Sequence, residues 1–210
     1  MTTTPIRLHR FALSGHAHRV QLMLSLLGVP HEIVEVDLPR GEHKQPEFLA
    51  KNPFGQVPVI EDGALTLADS NAILVYLASR YDASGRWLPR TPEGAAQVQR
   101  WLSVAAGQLA AGPGQARVEV LFNRARSPQC HEVAKRLFGL MDAHLAAQPF
   151  LTGEAPTIAD VAMYTYSAHA PEGGVSLAPY PNLRAWLGRI EALPGFVGMV
   201  RRPEASPLAA

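Results

Sequence analysis

Four short stretches in the first third of this 210-residue chain hold side chains able to do chemistry. The earliest is Leu13-Ser14-Gly15-His16-Ala17-His18. It lies between a β-like run and a helical one, so the Ser14 hydroxyl would stand at a helix N-terminus, where free N–H groups and the macrodipole favour an anion. The same serine equally suits a plain helix cap. The His16 and His18 pair raises a metal site, but zinc needs a third ligand and a supporting shell that nothing nearby supplies, so no metal is expected. No Gly-x-Ser-x-Gly elbow surrounds Ser14, which argues against a serine hydrolase. The second stretch is Gly41-Glu42-His43-Lys44, whose His43 and Lys44 either meet a ligand carboxylate or form a solvated loop.

The third stretch is Asn52-Pro53-Phe54-Gly55-Gln56-Val57-Pro58-Val59. A proline just inside a strand-like run removes a ladder donor and implies an edge, a bulge or a special turn. A cis Val57-Pro58 bond would turn the N–H and C=O of Val57 outward to pair with an extended peptide, and spacing alone does not choose cis over trans. The fourth is Asp69-Ser70-Asn71, opening a helix. Its N–H groups and the Ser70 hydroxyl would cradle a carboxylate while Asp69 holds an ammonium; a simple cap is the alternative.

The elements that must position these residues follow two rhythms. Ile6 to Phe11 reads as a strand, and Val20, Met23, Leu24 and Leu27 then recur at helical spacing, with Gly28 suited to the C-cap and Pro30 unable to extend the helix. His31 to Asp37 reads as a second strand, parallel to the first because a helix joins them, and Pro46 to Ala50 as a brief helix. Val57 to Glu61 and Leu65 to Ala68 flank Asp62-Gly63, a strong hairpin signal, and Asp69 or Ser70 suits the N-cap of a helix whose Ile73, Tyr76 and Leu77 share a face. The order is βαβαββα over residues 1–81, an α/β arrangement. Residues 82–92, rich in Ser, Gly and Pro, form a linker, and residues 93–210 form an all-α part. That part comprises one long or broken helix from Glu93 to about Arg126, with Gly112-Pro113-Gly114 the place for a kink, then Pro128 to Ala147, Ile158 to about His169 behind a Thr157–Asp160 capping box, and Asn182 to Leu193.

Composition excludes several function classes. With 19 basic and 18 acidic side chains and a net charge of +1, the chain lacks the basic surplus of a nucleic-acid binder. It holds one cysteine, Cys130, so no disulfide framework is possible and a reducing compartment suits it. No apolar run approaches the roughly 20 residues that span a bilayer, and Met1 to Pro5 lacks the build of a signal peptide, so a cytoplasmic protein is expected.

Taken jointly and in order, these stretches resemble the cytosolic glutathione S-transferases. The resemblance rests on Ser14 before the first helix, the Gly41-Glu42-His43-Lys44 loop, Asn52-Pro53 followed by Val57-Pro58, and Asp69-Ser70 followed by Ala72-Ile73-Leu74-Xaa-Tyr76-Leu77. It runs on into Thr157-Ile158-Ala159-Asp160, similar to the family's N-capping motif, and so spans nearly the whole chain. It implies a thioredoxin-like domain followed by a helical domain. Pro58 would be the family's cis-proline, Val57 would pair with the cysteinyl part of glutathione, and Asp69 with Ser70 would hold the γ-glutamyl end. His43 and Lys44 would meet the glycyl carboxylate, with Gln56 nearby. Ser14 matches the sulfur-activating serine of the theta-like and related bacterial classes. The tyrosine and cysteine variants look excluded, since no Tyr precedes Tyr76 and Ala17 stands where some relatives carry Cys. The resemblance further implies glutathione as co-substrate with no prosthetic group, a small hydrophobic electrophile as acceptor, with Leu13, Trp101 and Ala105 as candidate pocket residues, and a homodimer. Glutathione-dependent peroxidase or disulfide reductase activity, or a noncatalytic glutathione-binding role, are the alternatives.

Overall fold

The computed structural model describes residues 4–206, which divide into two compact units. One holds residues 4–85 with Leu193–Val200; the other holds Arg86–Ala192 with residues 201–206.

In the first unit, β1 (Ile6–Arg10), β2 (His31–Glu35), β3 (Val59–Asp62) and β4 (Leu65–Ala68) form one sheet in the order β2-β1-β3-β4. β1 and β2 run parallel, as the helix joining them requires, with Leu8 opposite Ile33; β1–β3 and β3–β4 are antiparallel. The Asp62-Gly63 signal marks the β3–β4 hairpin, and Gly63 takes the positive φ of +59° that the turn needs. α1 (Gly15–Leu26) buries Ala17, Val20, Met23 and Leu24, and Gly28 closes it at φ +64°. α2 (Pro46–Leu49) and α3 (Ser70–Tyr81) complete the βαβαββα order. One short turn of 3-10 helix, Glu42–Lys44, replaces the loop expected there.

The second unit is helical: α4 (Pro92–Val104), a π-helical segment (Ala105–Gly114), α5 (Gln115–Leu121), α6 (Pro128–Leu145), α7 (Ile158–Ala168) and α8 (Pro181–Glu191). Thr91 caps α4 by accepting from the N–H of Gly94 at 3.2 Å, with Pro92 at the first helical position. The helix is continuous but irregular at Gly112-Pro113-Gly114: it passes through widened turns from Ala105 to Gly114 with Pro113 inside them and continues to Leu121, ending five residues short of the expected Arg126, where Asn123 adopts φ +49°. The physical reason lies in α6: a Cβ on Gly112 would fall 2.9 Å from the backbone N of Ala134, so the glycine admits a close helix approach instead of a break. All eleven residues of α7 are buried, and the Thr157–Asp160 capping box opens it.

One buried ionic group ties this unit together. Arg117 Nε donates to Glu172 Oε2 at 2.7 Å, and the His169 ring and the Arg202 N–H meet Glu172 Oε1 at 2.6 and 2.9 Å. Burial alone would raise the Glu172 carboxyl, but the hydrogen bonds from His169, Arg202 and Arg117 and the guanidinium charge hold it at about 2. Among the described residues, no helix is long and apolar enough to cross a membrane.

Candidate functional site

The N-terminus of α3 concentrates the unusual features of the first unit. Asp69 is a non-glycine residue at φ +71°, a conformation that costs on the order of 1–3 kcal/mol and collects at ligand sites. Its Oδ1 accepts from the N–H groups of Asn71 and Ala72, both at 2.9 Å, so the cap is made. Ser70, the first helical residue, is buried, and its Oγ accepts from Arg19 Nη1 at 3.2 Å. The same Nη1 donates to Asn71 Oδ1 at 2.9 Å. His16 Nδ1 lies 3.4 Å from Ser70 Oγ. Burial, reinforced by the nearby Arg19 charge, pushes His16 down to about 3, so the imidazole beside Ser70 is neutral and adds no second charge to the site.

Ser14 stands at the N-cap of α1 with extended backbone (φ −81°, ψ 114°), and its Oγ accepts from the N–H of Ala17 at 3.2 Å. The cap uses an oxygen lone pair and leaves the hydroxyl hydrogen for donation, so capping and anion binding are compatible. His16 and His18 part company. The His18 ring bonds to the carbonyl of Val197 at 2.9 Å, and among the described residues no group of three or more His, Cys, Asp or Glu is placed for a metal ion.

A second cluster forms around Gly55. Gly55 takes φ +59°, and a Cβ there would lie 2.8 Å from the His43 carbonyl and 3.0 Å from Lys44 Nζ, so the glycine lets the 43–44 turn come up against the loop that carries Gln56 and Val57. Asn52 fixes that loop by donating from Nδ2 to the Gln56 carbonyl at 2.7 Å and accepting from the Phe54 N–H at 3.1 Å. The Val57-Pro58 bond is cis. The Val57 side chain packs on Val36, Phe48 and Val59, so any polar contact Val57 makes comes from its main chain. His43 Nδ1 is buried and makes no hydrogen bond among the described residues.

Arg19, His16 and Asn71 were not picked out as site residues by sequence spacing. One signal was available: Arg19 precedes Met23 and Leu27 by four and eight residues, so a permanent charge sits on the apolar stripe of α1. In the second unit, Trp101 Nε1 donates to the Leu151 carbonyl at 3.0 Å while the residue lines a groove of about 220 Å³ with Val104, Leu140 and His144, and Ala105, named above as a pocket residue, is fully buried. Cys130 is buried as well, its thiol pushed up by burial and by the Glu119 carboxylate, which leaves it a poor nucleophile.

Comparison with known proteins matches residues 13–80 to the glutathione S-transferase N-terminal domain and residues 124–189 to the C-terminal domain of the same family. Glutathione S-transferase 3 of Zea mays is 34% identical over 204 residues, covering 91% of both chains. Human glutathione S-transferase theta-2B is 31% identical over 201 residues, covering 87% of this chain and 79% of its own. The crystal structure of a glutathione S-transferase from Pseudomonas fluorescens superposes with a TM-score of 0.87 at 32% identity, covering 94% of this chain and all of that one.

Proposed function

Because the chain belongs to the glutathione S-transferase family, we propose that it conjugates the thiolate of glutathione to small hydrophobic electrophiles, with Ser14 stabilising the thiolate. The observation that carries this is the α3 N-terminus, where Asp69 is held at positive φ beside the buried hydroxyl of Ser70. A helix N-terminus with a serine donor suits the α-carboxylate of the γ-glutamyl group, and the Asp69 carboxylate suits its ammonium. His43 and Lys44, brought beside Gly55 and Gln56, suit the glycyl carboxylate. Val57 supplies main-chain groups for the cysteinyl part between the two ends, next to Pro58.

Ser14 then acts on the sulfur. Lowering a thiol from about 8.5 to about 6.5 takes roughly 2.7 kcal/mol of preference for the anion and raises the ionised fraction at pH 7 from a few per cent to about three quarters. A hydroxyl donor together with the N-terminal field of α1 is of that size. The thiolate attacks an electrophilic carbon, the C–S bond forms, and the leaving group departs with its electron pair. A serine cannot form a mixed disulfide with glutathione, which favours conjugation over thiol exchange.

We also infer a homodimer. Phe54 is a large apolar side chain 79% exposed in the first unit, and a second copy would cover it. Sedimentation of the protein and of Phe54→Ser checks this, with a shift toward monomer expected.

The experiment is a titration with glutathione that follows heat and thiolate absorbance together, after which 1-chloro-2,4-dinitrobenzene is added. Binding, a depressed thiol pKa and conjugate with released chloride are expected, and Ser14→Ala should return the bound thiol toward 8.5 with affinity nearly intact. Binding without conjugation would redirect the assignment to peroxide or disulfide substrates; absence of binding would overturn it in favour of a noncatalytic role.

A further inference from the structure

Arg19 takes no part in the roles proposed so far, yet it is fully buried on α1 and reaches across to the first turn of α3. A guanidinium has five donors and no acceptor, and it keeps its charge at any pH the protein survives. At Ser70 Oγ it therefore always donates. A hydroxyl has one hydrogen, so a serine that accepts from Arg19 must send its own hydrogen elsewhere. His16 Nδ1 lies 3.4 Å from the same oxygen, on an imidazole held neutral by its surroundings, so the guanidinium is the one charged group among these neighbours of Ser70 Oγ.

We infer that Arg19 is a positioning residue for glutathione: by donating to Ser70 Oγ and Asn71 Oδ1 it fixes the Ser70 hydroxyl with its hydrogen directed away from the guanidinium and available to the γ-glutamyl carboxylate. This rests on the assignment of the α3 N-terminus to that carboxylate. Two consequences follow from the geometry. The Ser70 rotamer is settled before the ligand arrives, so binding does not have to order it. A hydroxyl that accepts from a cation is also a stronger donor, because bonds in a chain polarise one another. The single Nη1 that holds both Ser70 and Asn71 couples these effects to the first turn of the helix, across an interval of 51 residues.

The test is a double-mutant cycle read by calorimetric titration with glutathione. It uses the unaltered protein, Arg19→Met, Ser70→Ala and the double variant, each checked for folding by its thermal transition. Each single substitution should weaken binding roughly tenfold, the value of one charge-assisted or ligand hydrogen bond. The double variant should bind within about twofold of Ser70→Ala, because Arg19 acts through that hydroxyl. Where Arg19→Met folds, Arg19→Lys, which keeps a donor on the site, should recover part of the lost affinity; if Arg19→Met does not fold, Arg19→Lys replaces it in the same cycle and should show a smaller loss that likewise vanishes in the Ser70→Ala background. Losses that multiply to about a hundredfold, or a folded Arg19 variant with unchanged affinity, would overturn the inference while leaving the glutathione assignment standing. Failure of the unaltered protein to bind glutathione would overturn both.

Discussion

Replacing Asp160 tests whether the second unit hangs on one buried carboxylate. Asp160 Oδ1 accepts from the N–H of Leu151 and from Trp186 Nε1, both at 2.9 Å, and Oδ2 accepts from the N–H of Thr157 at 2.8 Å. All of these residues are buried, so Asp160→Ala would strand three donors that water cannot reach. At about 1–2 kcal/mol for each stranded donor, the Thr157 N–H of the capping box among them, the loss comes to roughly 3–6 kcal/mol. Asp160→Asn keeps one oxygen for Leu151 and Trp186 but sets an amide NH2 against the Thr157 N–H, so it should cost only about 1–3 kcal/mol. Urea unfolding followed by tryptophan fluorescence gives both values from the shift in midpoint at constant slope. In a thermal scan the alanine variant should melt roughly 6–24 °C lower, at about 2–4 °C per kcal/mol for a chain of this size. An alanine variant that loses less than 1 kcal/mol, or equal losses for Asn and Ala, would refute the donor count.

Acid should find the Glu172 group. Its carboxyl sits at about 2 in the folded protein against an ordinary value of 4.5, so its stabilisation is complete above about pH 5 and is lost as pH falls through 4.5 toward 2. That interval corresponds to roughly 3 kcal/mol. Urea midpoints of the protein and Glu172→Gln should differ most at pH 6 and converge near pH 2, and a difference that persists unchanged would contradict the assignment. Gly173→Ala should destabilise by about 1–3 kcal/mol, because its Cβ would meet the backbone of Arg117 and Ala116 at 2.6 and 2.7 Å. Gly139→Ala, with open space around it on the exposed face of α6, should stabilise by about 0.5–1 kcal/mol, and thermal scans of the two variants should shift in opposite directions.

Local signals carried most of the fold. The Asp62-Gly63 turn, the stripe Val20, Met23, Leu24 and Leu27, and the Thr157 and Asp160 pair each act within one element or one turn, so spacing reveals them. The widened turns after Val104 were illegible because they depend on how closely Gly112 approaches Ala134 on a different helix. The site divides in the same way. Caps such as Ser14 and Asp69 show in the sequence because they bond three residues onward. The contacts of Arg19 and His16 with Ser70 join residues more than 50 positions apart and exist only once α1 packs on α3. Gly55 carries no local reason to be glycine; it is the 43–44 turn, folded against it, that demands one.

The segment Leu193–Val200 has a bearing on how the chain is made. It returns to the first unit after the whole helical stretch from Arg86 to Ala192, accepts from Ser25 Oγ at Gly195 O (2.6 Å), and meets the His18 ring at Val197 O (2.9 Å). A ribosome releasing about 5–20 residues per second would present the entire βαβαββα unit several seconds before those two acceptors exist. Through that interval the bonds of Ser25 to the Gly195 carbonyl and of His18 to the Val197 carbonyl have yet to form. The part synthesised first is thus completed among the last, and a fragment ending at Gly85 would remain permanently at that unfinished stage.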